Sequence, residues 1–305
     1  MHLLISSKSP ALPTEMEFVL RCLLAQWIGN NINDLTLVFL EGEYKVRRFN
    51  KDAIGYRLFG TTFGVNFTKD PVFIGIPREC KEDLLSNIAL FHEMGHIVDT
   101  QISLMTDVKD SIIKSTNKDY SKRIIREYFP KLFNDKVFDE SILVSYIKEY
   151  IADLFSAQYL GNYIIDYLDF VETGKKTDDS PTHPPFEKRK KVVEDFINCM
   201  TLSNQVTSNY LLKYIIDSFH FSGKGDLCIR WSPISGNSFL MGSPVTLTNN
   251  DELFSVFKQV WDVVYLGVTQ VEKARHLPPN TLSHYAFYDS LNSTVKDSIS
   301  CFMNP

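Results

Sequence analysis

No stretch of this 305-residue chain approaches the run of about eighteen apolar residues that a membrane span requires. The most apolar long segment, residues 159–171, is interrupted by Asn162, Asp166 and Asp169. The N-terminus is equally poor in the signals of export: its apolar run, Leu3-Leu4-Ile5, is too short for a secretory signal, and no basic segment precedes it. Cysteine is sparse. The five present (Cys22, Cys80, Cys199, Cys228, Cys301) are scattered, odd in number and never in C-x-x-C spacing, which excludes a disulfide framework and a cysteine zinc site and fits a reducing compartment. Positive charge is not in excess. A net charge of −5 advertises no broad basic surface, so nucleic acid is not an expected partner. Internal repeats and low-complexity segments are also absent. These absences lead us to expect a soluble, cytoplasmic globular protein.

What remains is ordinary in bulk, with 44% hydrophobic and 23% charged residues, and unusual at one place. Residues 90–99 read Leu-Phe-His-Glu-Met-Gly-His-Ile-Val-Asp and contain H-E-x-x-H. Around them Leu84, Ile88, Phe91, Gly95, Val98 and Ile102 recur every three or four residues, as on one face of an α-helix. His92 and His96 are then one turn apart and can converge on one metal ion, while Glu93 lies about 100° further round and can reach a water held by that metal. Gly95 costs a helix interior about 1 kcal/mol relative to Ala, so its place on the apolar face predicts another backbone packed closely against it. A chance match in a chain this long has odds of about one in a hundred. The metal reading outweighs that of a surface helix.

Two histidines do not complete a catalytic zinc site, which takes three protein ligands and leaves a fourth position for water. The best source of the third is residues 148–157. There Val144, Ile147, Ile151 and Leu154 mark a core-facing side, and Glu149 and Asp153 share a different face with the small residues Ser145, Ala152, Ser156 and Ala157. Glu149 is the expected ligand. Asp153, one turn on, can accept a hydrogen bond from the ring of a ligating histidine. Without the upstream motif the pair would read as a solvated helix face. Asp139 and Glu140 are weaker candidates, because acidic residues at a helix start are favoured by the dipole in any case. A further histidine, His183, precedes Pro184-Pro185 and is stiffened into an extended backbone. It could donate to an oxyanion or approach the metal, though a lone loop histidine is more often simply solvated.

The order H-E-x-x-H, then E-x-x-x-D, resembles the gluzincin zinc metallopeptidases. Glu149-Tyr150-Ile151-Ala152-Asp153 is similar to the E-[YF]-x-A-D block of the HtpX and CAAX-prenyl-protease (Ste24) branch, and Thr182-His183-Pro184-Pro185 with Arg189 resembles that branch's downstream histidine-proline segment. The likeness spans residues 71–200. It implies zinc held by His92, His96 and Glu149, Glu93 as general base, Asp153 as a supporting group, and His183 and Arg189 near the substrate. It also implies a zincin-like α+β fold, with a small N-terminal sheet and a mainly helical remainder. That branch is typically membrane-embedded. This chain carries no comparable spans and reads as a compact relative of the catalytic core.

Along the chain the patterns predict a helix at 15–30, strands at 34–48, 55–66 and 71–76, and the metal helix from residue 84. Helices are then expected at 109–116, 121–132, 140–171 (one or a pair), 186–200, 208–219 and 251–274, with a polar loop at 172–181 and turns or hairpins from 220 to 248. The tail from Arg275 is unassigned, and a structural role suits His276, His284, Tyr285 and Tyr288 best. We expect a metallopeptidase domain over 1–220 and a C-terminal subdomain over 221–305. A strand at 62–67 or 72–76 would be the sheet edge that accepts an extended peptide or protein substrate. Three functions follow: an active zinc endopeptidase, a regulatory zinc protein whose site is plugged by His183 or the C-terminal region, and a non-catalytic binding module. Glu93 argues against the last, since a structural site has no use for it.

Overall fold

The computed structural model describes residues 12–50, 62, 68–115, 118–134, 137–172, 180–201, 209–232, 234 and 238–304. The helices in the N-terminal half are α1 (Thr14–Ile28), α2 (Ala89–Ile102), α3 (Leu104–Lys114), α4 (Lys118–Tyr128) and α5 (Glu140–Leu160). They are followed by α6 (Tyr163–Glu172), α7 (Phe186–Thr201), α8 (Tyr210–Phe221), the short α9 (Ser238–Met241), α10 (Asn250–Leu266), α11 (Val268–Ala274) and α12 (His284–Met303). The strands are β1 (Leu35–Glu41), β2 (Lys45–Arg48), β3 (Asp70–Ile76) and the two-residue pair β4 (Phe133–Asn134) and β5 (Val137–Phe138). The protein is thus α+β, mainly helical, with one small sheet ahead of the H-E-x-x-H helix. None of the described helices is long and apolar enough to cross a membrane.

The chain forms two compact units, Met1–Glu93 with Ser232–Pro305, and Met94–Trp231. In the first, the sheet has the order β1-β3-β2, with β3 parallel to β1 and antiparallel to β2. The segments on either side of the Glu41-Gly42-Glu43 turn are therefore not partners, because β3 lies between them. Val72, Ile74 and Ile76 are fully buried on one face of β3, and the most apolar strand takes the position where both flanks are paired. The turn crosses the end of β3: Gly42 N donates to the Ile76 carbonyl, and any Cβ at Gly75 would run into the Glu43 carbonyl. This corrects the expectation that 72–76 is a sheet edge, since both its edges are occupied. The expected strand at 55–66 and the alternative edge at 62–67 lie outside the described residues except for Thr62.

The C-terminal part, 232–305, packs into this same unit. Along α12, Phe287, Leu291, Val295 and Ile299 form a buried stripe, and Ser300 Oγ donates to Glu15 of α1. Phe91 at the start of α2 meets Phe257 of α10 edge-on, with ring centres 5.4 Å apart. Leu84 N donates to Asn292, and Tyr288 Oη contacts both carboxylate oxygens of Asp83, so α12 fixes the segment that leads into α2. The tail left unassigned in the sequence is a 20-residue helix. In the region expected to hold hairpins the described residues contain no strand, only irregular chain and α9.

In the second unit α5 is the central element, contacting α3, α6 and α7. From Glu149 to Leu160 every residue is buried, so the helix is packed all round rather than along one side. Asp139 caps its start, accepting from Ser141 N, and Gly161 at φ 63° ends it, which resolves the expected 140–171 helix into α5 and α6. Gly267, at φ 80°, splits the 251–274 segment into α10 and α11 in the same way.

Candidate metal centre

The candidate metal site begins as a helix-packing problem. An ideal Cβ built on Gly95 would lie 2.7 Å from Ala152 Cα and 3.1 Å from Phe155 Cβ. Only glycine lets α2 approach α5 this closely, as its cost on the apolar face of the sequence predicts. The approach lands His96, next to Gly95, against Glu149, one turn before Ala152. His96 Nε2 stands 3.5 Å from Glu149 Oε1. His92, one turn earlier on the unbroken helix, completes a group with one ligand atom from each of His92, His96 and Glu149, all within 4.8 Å of one another.

The donor set and spacing fit a divalent transition metal. Ligands at roughly 2.0–2.2 Å from a tetrahedral zinc stand about 3.4 Å apart, which the His96–Glu149 separation matches. Imidazole with carboxylate suits zinc well. His92 and Glu149 are buried, at 5% and 8% exposure, so a bound ion would act strongly on its neighbours. Glu93 is half-buried and stands outside the ligand group, as its position on the helix predicts.

Glu149 is the hub of the remaining residues. Its Oε2 faces Arg189 Nη2 at 3.7 Å, and its Oε1 is 3.8 Å from His183 Nε2. Arg189 is 1% exposed and donates to both oxygens of fully buried Asp153, at 2.8 and 2.7 Å. The sequence leads to Asp153 beside a ligating histidine, and the resemblance implies Arg189 near the substrate; in the structure the two form a bidentate buried pair beneath Glu149. His183 is half-exposed and lies at the surface of the group. Its loop is built locally: Ser180 Oγ accepts from the backbone N–H of Thr182 and of His183, and His183 Nδ1 is 2.9 Å from Thr182 Oγ1.

Two residues that matter here had no distinguishing mark in the sequence. Tyr146 Oη donates to the Ser180 carbonyl and ties the His183 loop to α5, a link across 34 residues that no local spacing reveals. Asp99, one turn after His96, is 3% exposed and accepts from Met105 N at 2.6 Å, fixing the turn from α2 into α3. Burial pushes its carboxyl up to about 6, against the Met105 hydrogen bond and the charge of Lys148, both of which pull it down. Tyr150, next to Glu149 on α5, is held well above the usual phenol range by burial and donates to the Tyr128 carbonyl as a neutral group. Asp139 and Glu140 take no part: one caps α5 and the other pairs with Lys109. In the tail, Tyr288 is structural, and His284 and Tyr285 lie on the exposed start of α12.

Comparison of the chain with protein-family models, with curated proteins and with solved structures finds no match.

Proposed function

We propose that this protein is a zincin-like, zinc-dependent endopeptidase. His92, His96 and Glu149 hold the metal, and Glu93 is the general base. The observation that carries the reading is the convergence of His92, His96 and Glu149, with Glu93 between the histidines and outside their group. The order of motifs, which resembles gluzincins, and the small sheet ahead of the helix support it. When bound, zinc would polarise the scissile carbonyl and acidify a water.

The chain's own residues supply the rest. Glu93 takes the proton of the attacking water and hands it to the leaving amine. His183, half-exposed beside Glu149, donates a hydrogen bond to the oxyanion. Tyr146 holds the loop that presents it. Arg189 and Asp153 fix Glu149 from beneath, so that the ligand does not turn away into solvent. An extended peptide is the fitting substrate, and the scattered cysteines support a reducing compartment such as the cytoplasm.

The test is hydrolysis of a peptide mixture by zinc-loaded wild type and by Glu93→Gln. The wild type should cleave, and the variant should keep its metal and lose cleavage. Metal loss in Glu93→Gln would remove Glu93 from the role of base. One observation favours a second reading, in which the site is regulated: His183 Nε2 lies 3.8 Å from a ligand oxygen, near enough for a small loop movement to plug the site. His183→Ala separates the two. A fall in activity supports the oxyanion role, and a rise supports the plug.

A further inference from the structure

We propose that Thr182, oriented by Ser180, fixes the imidazole tautomer of His183. The proton is held on Nε2, so that this nitrogen is a hydrogen-bond donor and not a metal ligand; the catalytic consequence rests on the peptidase reading above.

A serine or threonine hydroxyl has one hydrogen to give and two lone pairs with which to receive. Ser180 Oγ accepts from Thr182 N at 3.2 Å and from His183 N at 3.1 Å, which engages both of its lone pairs. Its hydrogen is left for Thr182 Oγ1, 3.0 Å away. Thr182 Oγ1 thus accepts from Ser180 and has its own hydrogen to give, and His183 Nδ1 lies 2.9 Å from it. With Nδ1 as acceptor, a neutral imidazole carries its proton on Nε2.

The opposite tautomer would need the Thr182 hydroxyl to turn its hydrogen into solvent, and the far side of the ring opposes it. His183 Nε2 stands 3.8 Å from Glu149 Oε1. An N–H facing a carboxylate is attracted, whereas a bare nitrogen lone pair in the same place is repelled. Glu149 is buried, so water screens this preference little. Both ends of the ring therefore select the same form.

The group is also anchored. Tyr146 Oη on α5 donates to the Ser180 carbonyl at 2.9 Å, and Pro184, directly after His183, is buried. The hydroxyl pair and the imidazole are thereby tied to the helix that carries Glu149. An Nε2–H held ready is the donor that a developing oxyanion needs, with no proton to be moved at the moment of reaction. To plug the site, Nε2 would first have to give up this proton to Nδ1 while the Thr182 hydroxyl turned away. Ser180 and Thr182 act through His183 and are positioning residues.

The experiment reads the tautomer directly. The full chain, with heavy-nitrogen label in its histidines, is followed by long-range proton–nitrogen correlation above the ordinary imidazole titration range, with and without zinc. The signal lost in His183→Ala assigns the residue. A single form protonated on Nε2 is expected. Thr182→Val keeps the side-chain shape and removes the hydroxyl, so the two tautomers should mix, and Thr182→Ser should restore the single form. Thr182 is exposed, so both variants should melt as the wild type does. On a peptide that the wild type cleaves, Thr182→Val should lower kcat about five-fold, as the loss of one orienting hydrogen bond, with KM unchanged and with recovery in Thr182→Ser. A wild type protonated on Nδ1, or the same single tautomer in Thr182→Val, would overturn the proposal. The two readings stay apart: the Nε2–H form in a protein that cleaves nothing supports the tautomer and removes the peptidase, whereas cleavage by a protein with the Nδ1–H form does the opposite.

Discussion

Asp99 and Arg189 show how the site's surroundings trade stability for order. Asp99 is a carboxylate buried near the end of α2, and burial raises its folded pKa to about 6, above the ordinary carboxylate value. The native state therefore holds a proton through this range while the unfolded chain has released it, so stability falls as pH rises from about 4 to 6 and levels off above. Two pKa units correspond to about 3 kcal/mol. Asp99→Asn keeps an oxygen for Met105 N and removes the charge. It should be more stable than wild type by about 2–3 kcal/mol at pH 7.5 and by little at pH 4, as read by urea unfolding at both values; equal gains at both would contradict the assignment. Arg189 works in the other direction. Arg189→Met strands the fully buried Asp153 without its cation, and losing one partner of such a pair costs about 3–5 kcal/mol. The same variant should bind zinc more weakly, since Glu149 loses the group beneath it. A thermal melt and a zinc competition titration check the two effects separately. The convergence of His92, His96 and Glu149 was legible from spacing and chemistry alone. The pairing of Arg189 with Asp153 was not, because the 36 residues between them carry no trace of the contact.

At the scale of elements the decisive contact is α2 on α5. Gly95→Ala adds a methyl group that would meet the backbone of Ala152 rather than a movable side-chain tip, so the helices must part. Overpacking of this kind costs about 1–3 kcal/mol, against a helix-propensity gain of about 1. The expected result is a net loss of stability together with weaker zinc binding, since His96 and Glu149 flank the contact. A variant with unchanged metal affinity would show that some other contact sets their separation. The glycine on an apolar helix face was readable in the sequence; its partner was readable only as a cluster of small residues. The sheet was less legible. Local patterning found β1 and β3 but could not give their order, which depends on β3 pairing with β1, as Leu35 with Asp70, as well as with β2. It missed α12 although the stripe of Phe287, Leu291, Val295 and Ile299 is present, because Ser, Asn, Asp and Lys are interspersed through the middle of that helix.

Across the whole molecule, the C-terminal region proves to be part of the scaffold rather than an appendage. Residues 232–305 share a compact unit with the N-terminal part, and α12 holds the approach to α2 through Tyr288 and Asn292. Deleting the chain from His284 onward should therefore expose the core of that unit and yield protein without a cooperative melt, where an appendage would be removed at no cost. A melt matching wild type would contradict this. Composition could not reveal the arrangement, because the two halves of the unit are separated in sequence by the whole of residues 94–231. The group of His92, His96 and Glu149 is where a metal is proposed to bind. The most direct measurement is the zinc content of the purified full chain and of Glu149→Ala, by plasma mass spectrometry after dialysis against a weak chelator. About one zinc per chain is expected in the wild type, since a catalytic site of this type holds a single ion, and a sharp loss in the variant. A wild type that retains no zinc, or a variant that retains all of it, would contradict the assignment of this site.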